Sequence, residues 1–597
     1  MRQVEKVCLV LLLAVASAFG QSAGGTRASA TKKAAPSVSS RLEQMEKAIT
    51  AQQQQISQLE QELKSRDSQV EQLQQQLGQT QSSIARAQEA ADAAASASKG
   101  VQAEQLDAVK KDVADLKDNA TNSVLALQET QKTVHEMGSP LAIHFKGITI
   151  TPGGFLAAET VYRNRSLAAD INTPFNSINM PGSGQNGISE FYGSGRQSRI
   201  SLLGEGSVSD IKFSAYYESD FLSAAVTSNN NESNSYSLRQ RQLFGQATFK
   251  NGLSFTGGQM WSLVTETKKG VDNRTEALPM TIDAQYNVGF SWARQYGLRV
   301  AKDFNNKVWL AASLENPSTT FAARNNAANF ALGGLGNPGG LYNSTANYSF
   351  NATPDFIVKA AFEPGFGHYE VFGILSRFRD RVYPCEEPPN DLNLCNGGVK
   401  SAEGAFNDSK NGGGIGANAR MTFVKQLDVG LHFLGGNGAG RYGSGGLPDA
   451  TVHPDGTLAL LRSYQGLGTI EWHKPRFDVY LNAGGEYAGR HWQMDPVSNA
   501  AVGYGSPLFV TSGCYAETIP GGNNGFTFGA LANCNADTRV LIEGTFGFWL
   551  RLYNGSKGKI QLGPQYSYVT RNAWSGTVGT PHGVENMVFT SFRYYLP

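Results

Sequence analysis

Arginine recurs out of step with the apolar residues over much of this 597-residue chain. Arg199, Arg299, Arg420, Arg551, Arg571 and Arg593 each stand beside positions held by apolar side chains, and Glu205, Glu218, Glu471, Glu486 and Glu543 keep the same phase. Charges of both signs lining one space set up a field across it that suits polar and charged solutes. Clustered guanidinium groups in such a space hold carboxylate or phosphate through paired hydrogen bonds.

The remaining reactive residue types point away from catalysis. Cys385 with Cys395, and Cys514 with Cys534, form two local pairs without CxxC spacing or a histidine partner set, so two disulfides are expected rather than a metal site. Each would stabilise its loop by roughly 3 kcal/mol in the chain-entropy account. "GAGRYG" at 438–443 matches GxGxxG, but no helix follows to hold a phosphate, and a flexible loop is the expected structure. The eight histidines include no HExxH. His432 and His473 are expected on one face of neighbouring strands as ordinary lining residues. With no nucleophile elbow either, the expectation is no enzyme, no cofactor and no metal.

These residues need elements to position them. Apolar residues make up 40 % and charged residues 17 % of the chain, and its 67 glycines exceed either sign of charge. This mixture belongs to a transmembrane barrel in which half of each strand faces a wet interior. A net charge of +1 with no basic arm gives no footing for nucleic acid. Val7–Phe19 is the one continuous apolar run, led by Arg2 and Lys6 and followed by small residues. It reads as a secretory signal over 1–20, too short to span a membrane as a helix. A linker follows over 21–40. Leu42, Ile49, Ile56, Leu63, Val70, Leu77 and Ile84 then recur every seven residues, so 41–137 reads as a periplasmic coiled coil whose narrow apolar stripe needs other copies to pack against.

Gly138 and Pro140 end that helix, and 138–597 reads as an all-β transmembrane barrel of about 16 antiparallel strands. The strands fall near 143–163, 196–207, 210–221, 238–249, 253–262, 290–303, 307–315, 355–363, 368–379, 413–424, 427–435, 463–473, 476–487, 539–552, 558–571 and 585–596. Short turns alternate with long connections, which places both barrel termini on the periplasmic side. In the strand near 539–552, Val540, Ile542, Phe546, Phe548, Leu550 and Leu552 share one face, opposite Glu543, Thr545 and Arg551. A basic side chain turned to mid-bilayer costs roughly 2–4 kcal/mol, so the charged faces must look inward. The strand near 238–249 alternates poorly, which is the mark of a bulge. Phe592, Tyr594 and Leu596 would face lipid on the last strand, which closes against the first. The connection at about 263–289 follows the fifth strand. In sixteen-stranded porins that loop commonly folds inward, which makes Lys268, Lys269, Arg274, Glu266 and Asp272 candidate constriction charges.

"GGQMWSLV" at 257–264, "TID" at 281–283 and "RQYGLRV" at 294–300, behind a signal peptide and a coiled coil, resemble the DcaP-like porins. The resemblance implies a homotrimeric outer-membrane channel for small organic anions, dicarboxylates included, with Trp261, Arg294 and Arg299 near its narrow region. The chain departs from that pattern in ending Leu596-Pro597 rather than in Phe or Trp, and in its cysteine-bearing loops. The expected function is passive diffusion of small hydrophilic solutes through the outer membrane. The expected partners are lipid, further copies of the chain and peptidoglycan. The alternative is a structural anchor that tethers the envelope through the coiled coil.

Overall fold

A computed structural model describes residues 142–223, 237–335, 347–386, 395, 399–517, 519 and 531–597. The expected signal, linker and coiled coil lie outside the described residues. Period-two alternation builds β1 (Ile148–Arg163), β2 in two segments (Glu190–Ser194 and Arg199–Val208), β3 (Ile211–Asp220), β4 (Arg239–Phe249) and β5 (Leu253–Trp261). After a long connection come β6 (Arg294–Phe304), β7 (Val308–Glu315), β8 (Asp355–Phe362), β9 (Gly367–Val382), β10 (Phe406–Val424) and β11 (Leu427–Asn437). The chain finishes with β12 (Arg462–His473), β13 (Phe477–Ala488), β14 (Thr538–Gly555), β15 (Gly558–Ala573) and β16 (His582–Tyr595).

The main sheet holds nineteen segments. Ile143–Phe145 and Phe330–Ala331 are short additions to it and β2 counts twice, so sixteen barrel strands remain. Each strand pairs antiparallel with the next, and β16 returns to β1 with Phe592 opposite Ala158, so the barrel is closed and has no free edge. The expected strands are all present, but four begin well away from the expected residue: β6 starts at Arg294 rather than 290, β10 starts at Phe406 rather than 413, and the first two strands differ as follows. The first was expected from 143, but Lys146 and Gly147 both take positive φ and fold Ile143–Phe145 back as a hairpin arm on β1. The second strand was expected from 196, but it begins at Glu190 and is interrupted over 195–198.

One end carries tight turns. Asn305 and Asn306 take φ of +57° and +55° in the three-residue turn between the paired Phe304 and Val308, a left-handed conformation that suits the twist of the strands it joins. The other end carries the long connections, two of which are closed by the disulfides Cys385–Cys395 and Cys514–Cys534. Around the outside, large apolar side chains stay uncovered: Ile415 is 74 % exposed and Leu375 65 %, and Leu156, Leu298, Phe433, Phe546 and Phe592 share that surface. A water-soluble monomer does not leave so continuous an apolar band open, whereas lipid covers it. Phe304, Phe362, Phe423, Trp472 and Tyr553 are exposed close to the tight turns, where an interfacial aromatic girdle belongs.

Candidate functional site

The connection between β5 and β6, residues 262–293, does not wave outside. It lies across the inner wall, and the wall supplies its hydrogen-bond acceptors. Buried backbone N–H groups without a ladder need such partners, and carboxylates are the strongest available. The N–H of Leu263 donates to Glu315 at 2.8 Å, that of Thr267 to Glu370 at 3.0 Å and that of Met280 to Glu471 at 3.3 Å. Ile282 donates to Gln565 at 2.6 Å, Val288 to Glu543 at 2.7 Å and Gly289 to Glu486 at 2.8 Å. At this last point the loop meets the backbone of β12 and β13: a Cβ on Gly289 would fall 2.0 Å from the Gly466 carbonyl oxygen, and one on Gly484 would fall 2.0 Å from that of Val288. Apolar side chains complete the docking. Ile282 and Val288 pack with Val161, Leu541 and Phe589, while Leu263, Val264 and Val271 pack with Ile357, Phe372 and Ile374.

Facing the loop is a basic wall built on one irregularity. Glu218 of β3 pairs with Gln242 of β4 and Ser219 pairs with Gln240, so Arg241 is an extra residue. Without that bulge Arg239 and Arg241 would share the lipid face of Leu243 and Gly245, at roughly 2–4 kcal/mol each. The bulge resets the phase and turns both inward. There Arg241 donates from Nε to Glu218 at 2.6 Å and from Nη1 to Asp220 at 2.8 Å, and its Nη2 lies 3.4 Å from the Tyr286 hydroxyl of the loop. Arg239 holds Asp220 with two hydrogen bonds at 2.9 and 2.8 Å.

A cavity of about 470 Å3 remains between loop and wall, toward the tight-turn end. Its basic lining is Arg199, Arg241, Lys268, Arg551, Lys559 and Arg593, and its acidic lining is Asp220, Glu276, Asp283 and Asp478. Phe155 lies between the guanidinium groups of Arg199 and Arg593, each 5.1 Å from its ring centre. Cations over an aromatic face are held without giving up their charge. The space is therefore polar and positively biased, with fixed charges of both signs.

The residues expected at a constriction divide by depth. Arg199, Lys268 and Arg551 line the cavity, Lys269 and Arg274 are exposed, and Arg274 lies over the Tyr216 ring at 5.1 Å. Arg294 stacks on Trp261 and Trp292 at 5.0 and 5.3 Å and borders a second cavity of about 500 Å3 with Gln285 and Arg441. Arg299 and Arg420 point inward but lie beneath the loop. Arg299 donates to Asn273 and to the Trp261 carbonyl, and Arg420 pairs with Glu266 and Glu471. Trp261 is buried against Tyr286 and Phe290. Arg571 donates to Thr538 and to the Ile178 carbonyl, tying down residues of the first long connection. His432 is buried beside Glu266 and Phe290 instead of facing open solvent, whereas His473 bonds Asp478 at the tight-turn end.

The reading of "GAGRYG" as a flexible loop is corrected. Gly440–Tyr442 is a 3-10 turn with Tyr442 fully buried, Arg441 is ion-paired with Asp355, and Trp292 N–H donates to the Tyr442 carbonyl at 2.8 Å. The stretch braces the inward loop. Arg239, Arg241, Asp220 and Tyr286 were not singled out by spacing, although two arginines in the lipid phase of β4 were a signal for the bulge that turns them inward.

Asp283, on the loop beside the cavity, is 2 % exposed, with Oδ1 accepting from Thr173 and Gln285 and Oδ2 unpartnered. Burial pushes its carboxyl from 3.8 up to about 6. A raised carboxylate favours the protonated folded state, so stability is lost as pH rises from about 4 to about 6. Asp283→Asn keeps the Oδ1 acceptor and is expected to raise the unfolding midpoint at pH ~7, by a difference of at most about 3 kcal/mol, and to leave it unchanged at pH ~4. Thermal unfolding in detergent at the two pH values checks this.

No family model and no curated protein matches the chain. Among solved structures, the outer membrane channel DcaP of Acinetobacter baumannii superposes with a TM-score of 0.49 at 13 % identity, over 76 % of this chain and 99 % of that one. OmpT, an outer membrane protein of Vibrio cholerae, gives 0.39 at 8 % identity over 76 % and 99 %. An anion-selective porin from Comamonas acidovorans gives 0.38 at 11 % identity over 75 % and 100 %.

Proposed function

We propose that this chain is an outer-membrane porin that lets small hydrophilic solutes diffuse passively, with a preference for small organic anions. In this reading residues 1–20 are the secretory signal, 21–40 a linker, 41–137 a periplasmic coiled coil that trimerises and reaches toward peptidoglycan, and 138–597 the barrel. The observation that carries the proposal is the loop 262–293 docked along the inner wall, with a charged cavity left beside it. A barrel serving only as an anchor needs no field across its interior, whereas a selective channel does. The excess of basic over acidic groups on the cavity lining supports the anion preference.

Recordings in planar bilayers under a salt gradient test the proposal. Stable conductance in triplet steps, with a reversal potential on the chloride side, is expected. A sealed lumen would instead favour the tether. Arg199→Gln, Lys268→Gln and Lys559→Gln together are expected to move the reversal potential toward cations with little loss of conductance. An unchanged reversal potential would remove this wall from selectivity.

A further inference from the structure

Asp380 and Asp408 stand directly opposite each other where β9 and β10 approach the long-loop end, both in the inward phase. Directly paired residues on one face hold their Cβ atoms about 4.5–5.5 Å apart, and like charges there repel. Asp380 is 1 % exposed, and neither of its carboxylate oxygens has a hydrogen-bond partner. A buried carboxylate left in that condition is costly unless something charged or protic meets it.

A third carboxylate belongs to the same place. The connection over 453–458 is held above the strand pair: Asn329 accepts from the Tyr383 N–H through its carbonyl and donates from Nδ2 to the Pro454 carbonyl. Leu458 N–H donates to Asp408 Oδ2 at 2.9 Å, and the Leu458 side chain packs with Phe378, two residues before Asp380. Asp455 sits in this connection three residues before Leu458, its Oδ1 accepting from Thr457. The nearby cation is Lys410, 3.3 Å from Asp408 and 41 % exposed. Three carboxylates against one lysine leave two negative charges uncompensated.

We propose that Asp380 and Asp408, with Asp455 from the overlying connection, bind a hard divalent cation of the calcium class. The three proposed donors are all oxygen, which suits Ca2+. Among the described residues no group of three such side chains already forms a cage. In the proposed site Asp380 and Asp408 supply two carboxylates from the strand pair, and Asp455 supplies a third from the connection above it. Calcium sites on the outer side of a cell work at roughly 0.1–1 mM. The residues between β11 and β12 also include Gly440–Tyr442, which braces the inward loop at Trp292, so the ion would steady the channel mouth.

The test uses the full chain in detergent, treated with EDTA and then dialysed against Ca2+ at ~1 mM. The expected result is Ca2+ bound above the level of the dialysate, saturating toward one per chain, and an unfolding midpoint that rises with Ca2+. Asp380→Asn is expected to lose both effects, and in EDTA to be at least as stable as the parent because the opposed charges are gone. Asp455→Asn, which leaves the strand pair intact, is expected to weaken binding measurably, because affinity for Ca2+ follows the number of charged ligands. No retained calcium in the parent chain, or equal retention by Asp380→Asn, would overturn the proposal and leave a proton as the occupant of the pair.

Discussion

Replacing residues 264–288 by a short Gly-Ser link is expected to give a folded barrel whose single-channel conductance is several-fold that of the parent. The strand ladders run unbroken from β1 through β16 and back and do not pass through the loop, so they survive its removal. The loop's loss does uncover inner apolar residues such as Val161, Ile357, Phe372 and Leu541, and each fully buried side chain of this size contributes about 1.5–3 kcal/mol. The wall carboxylates that had capped the loop's N–H groups, Glu370, Glu486 and Glu543 among them, would meet water instead of being stranded in a dry core. The expected outcome is therefore a lower unfolding midpoint together with a wider, less selective channel. Conductance equal to the parent's in bilayer recordings would mean that the ion path avoids this loop, and the proposed function would lose its main support.

Much of the barrel was legible because lipid leaves a strand little choice: the apolar set of β14 or β16 can face only outward, and period two then assigns every other residue. What period two does not give is depth. Arg299, Arg420 and Arg199 share one phase, yet the loop covers the first two and leaves the third on the cavity. The docking itself rests on contacts between residues far apart in sequence, such as Val288 with Glu543 or Gly289 with Gly466. No local pattern announces a carboxylate on a strand as the acceptor for a loop more than two hundred residues earlier. Tertiary contact also turned "GAGRYG" from a glycine-rich run into a buried brace, because Arg441 finds Asp355 on β8. The start of β2 escaped for a local reason: residues 195–198 break the alternation, and Gln197 within that break reaches inward to the Ile282 carbonyl of the loop.

Arg241→Ala is the substitution expected to destabilise the native barrel most. The guanidinium is 2 % exposed and bonded to both Glu218 and Asp220. Breaking a buried ion pair from one side costs about 3–5 kcal/mol, because the partner charge is left without compensation. The lower end applies here: Arg239 still holds Asp220, and Arg199 stays 3.7 Å from Glu218. Lysine is expected to recover little of the loss, since a single ammonium cannot span two carboxylates as the guanidinium fork does. The contact to the Tyr286 hydroxyl also disappears, so the inward loop loses a tie to the basic wall, and current noise in bilayer recordings should rise as the unfolding midpoint falls. Adding Glu218→Gln and Asp220→Asn to Arg241→Ala separates charge from packing. If stranded carboxylates are the cause, the triple variant regains most of the stability, because the interaction energy within such a network is not additive. A triple variant no more stable than Arg241→Ala would place the cost instead in the bulge and in the side chain's packing beside Trp261.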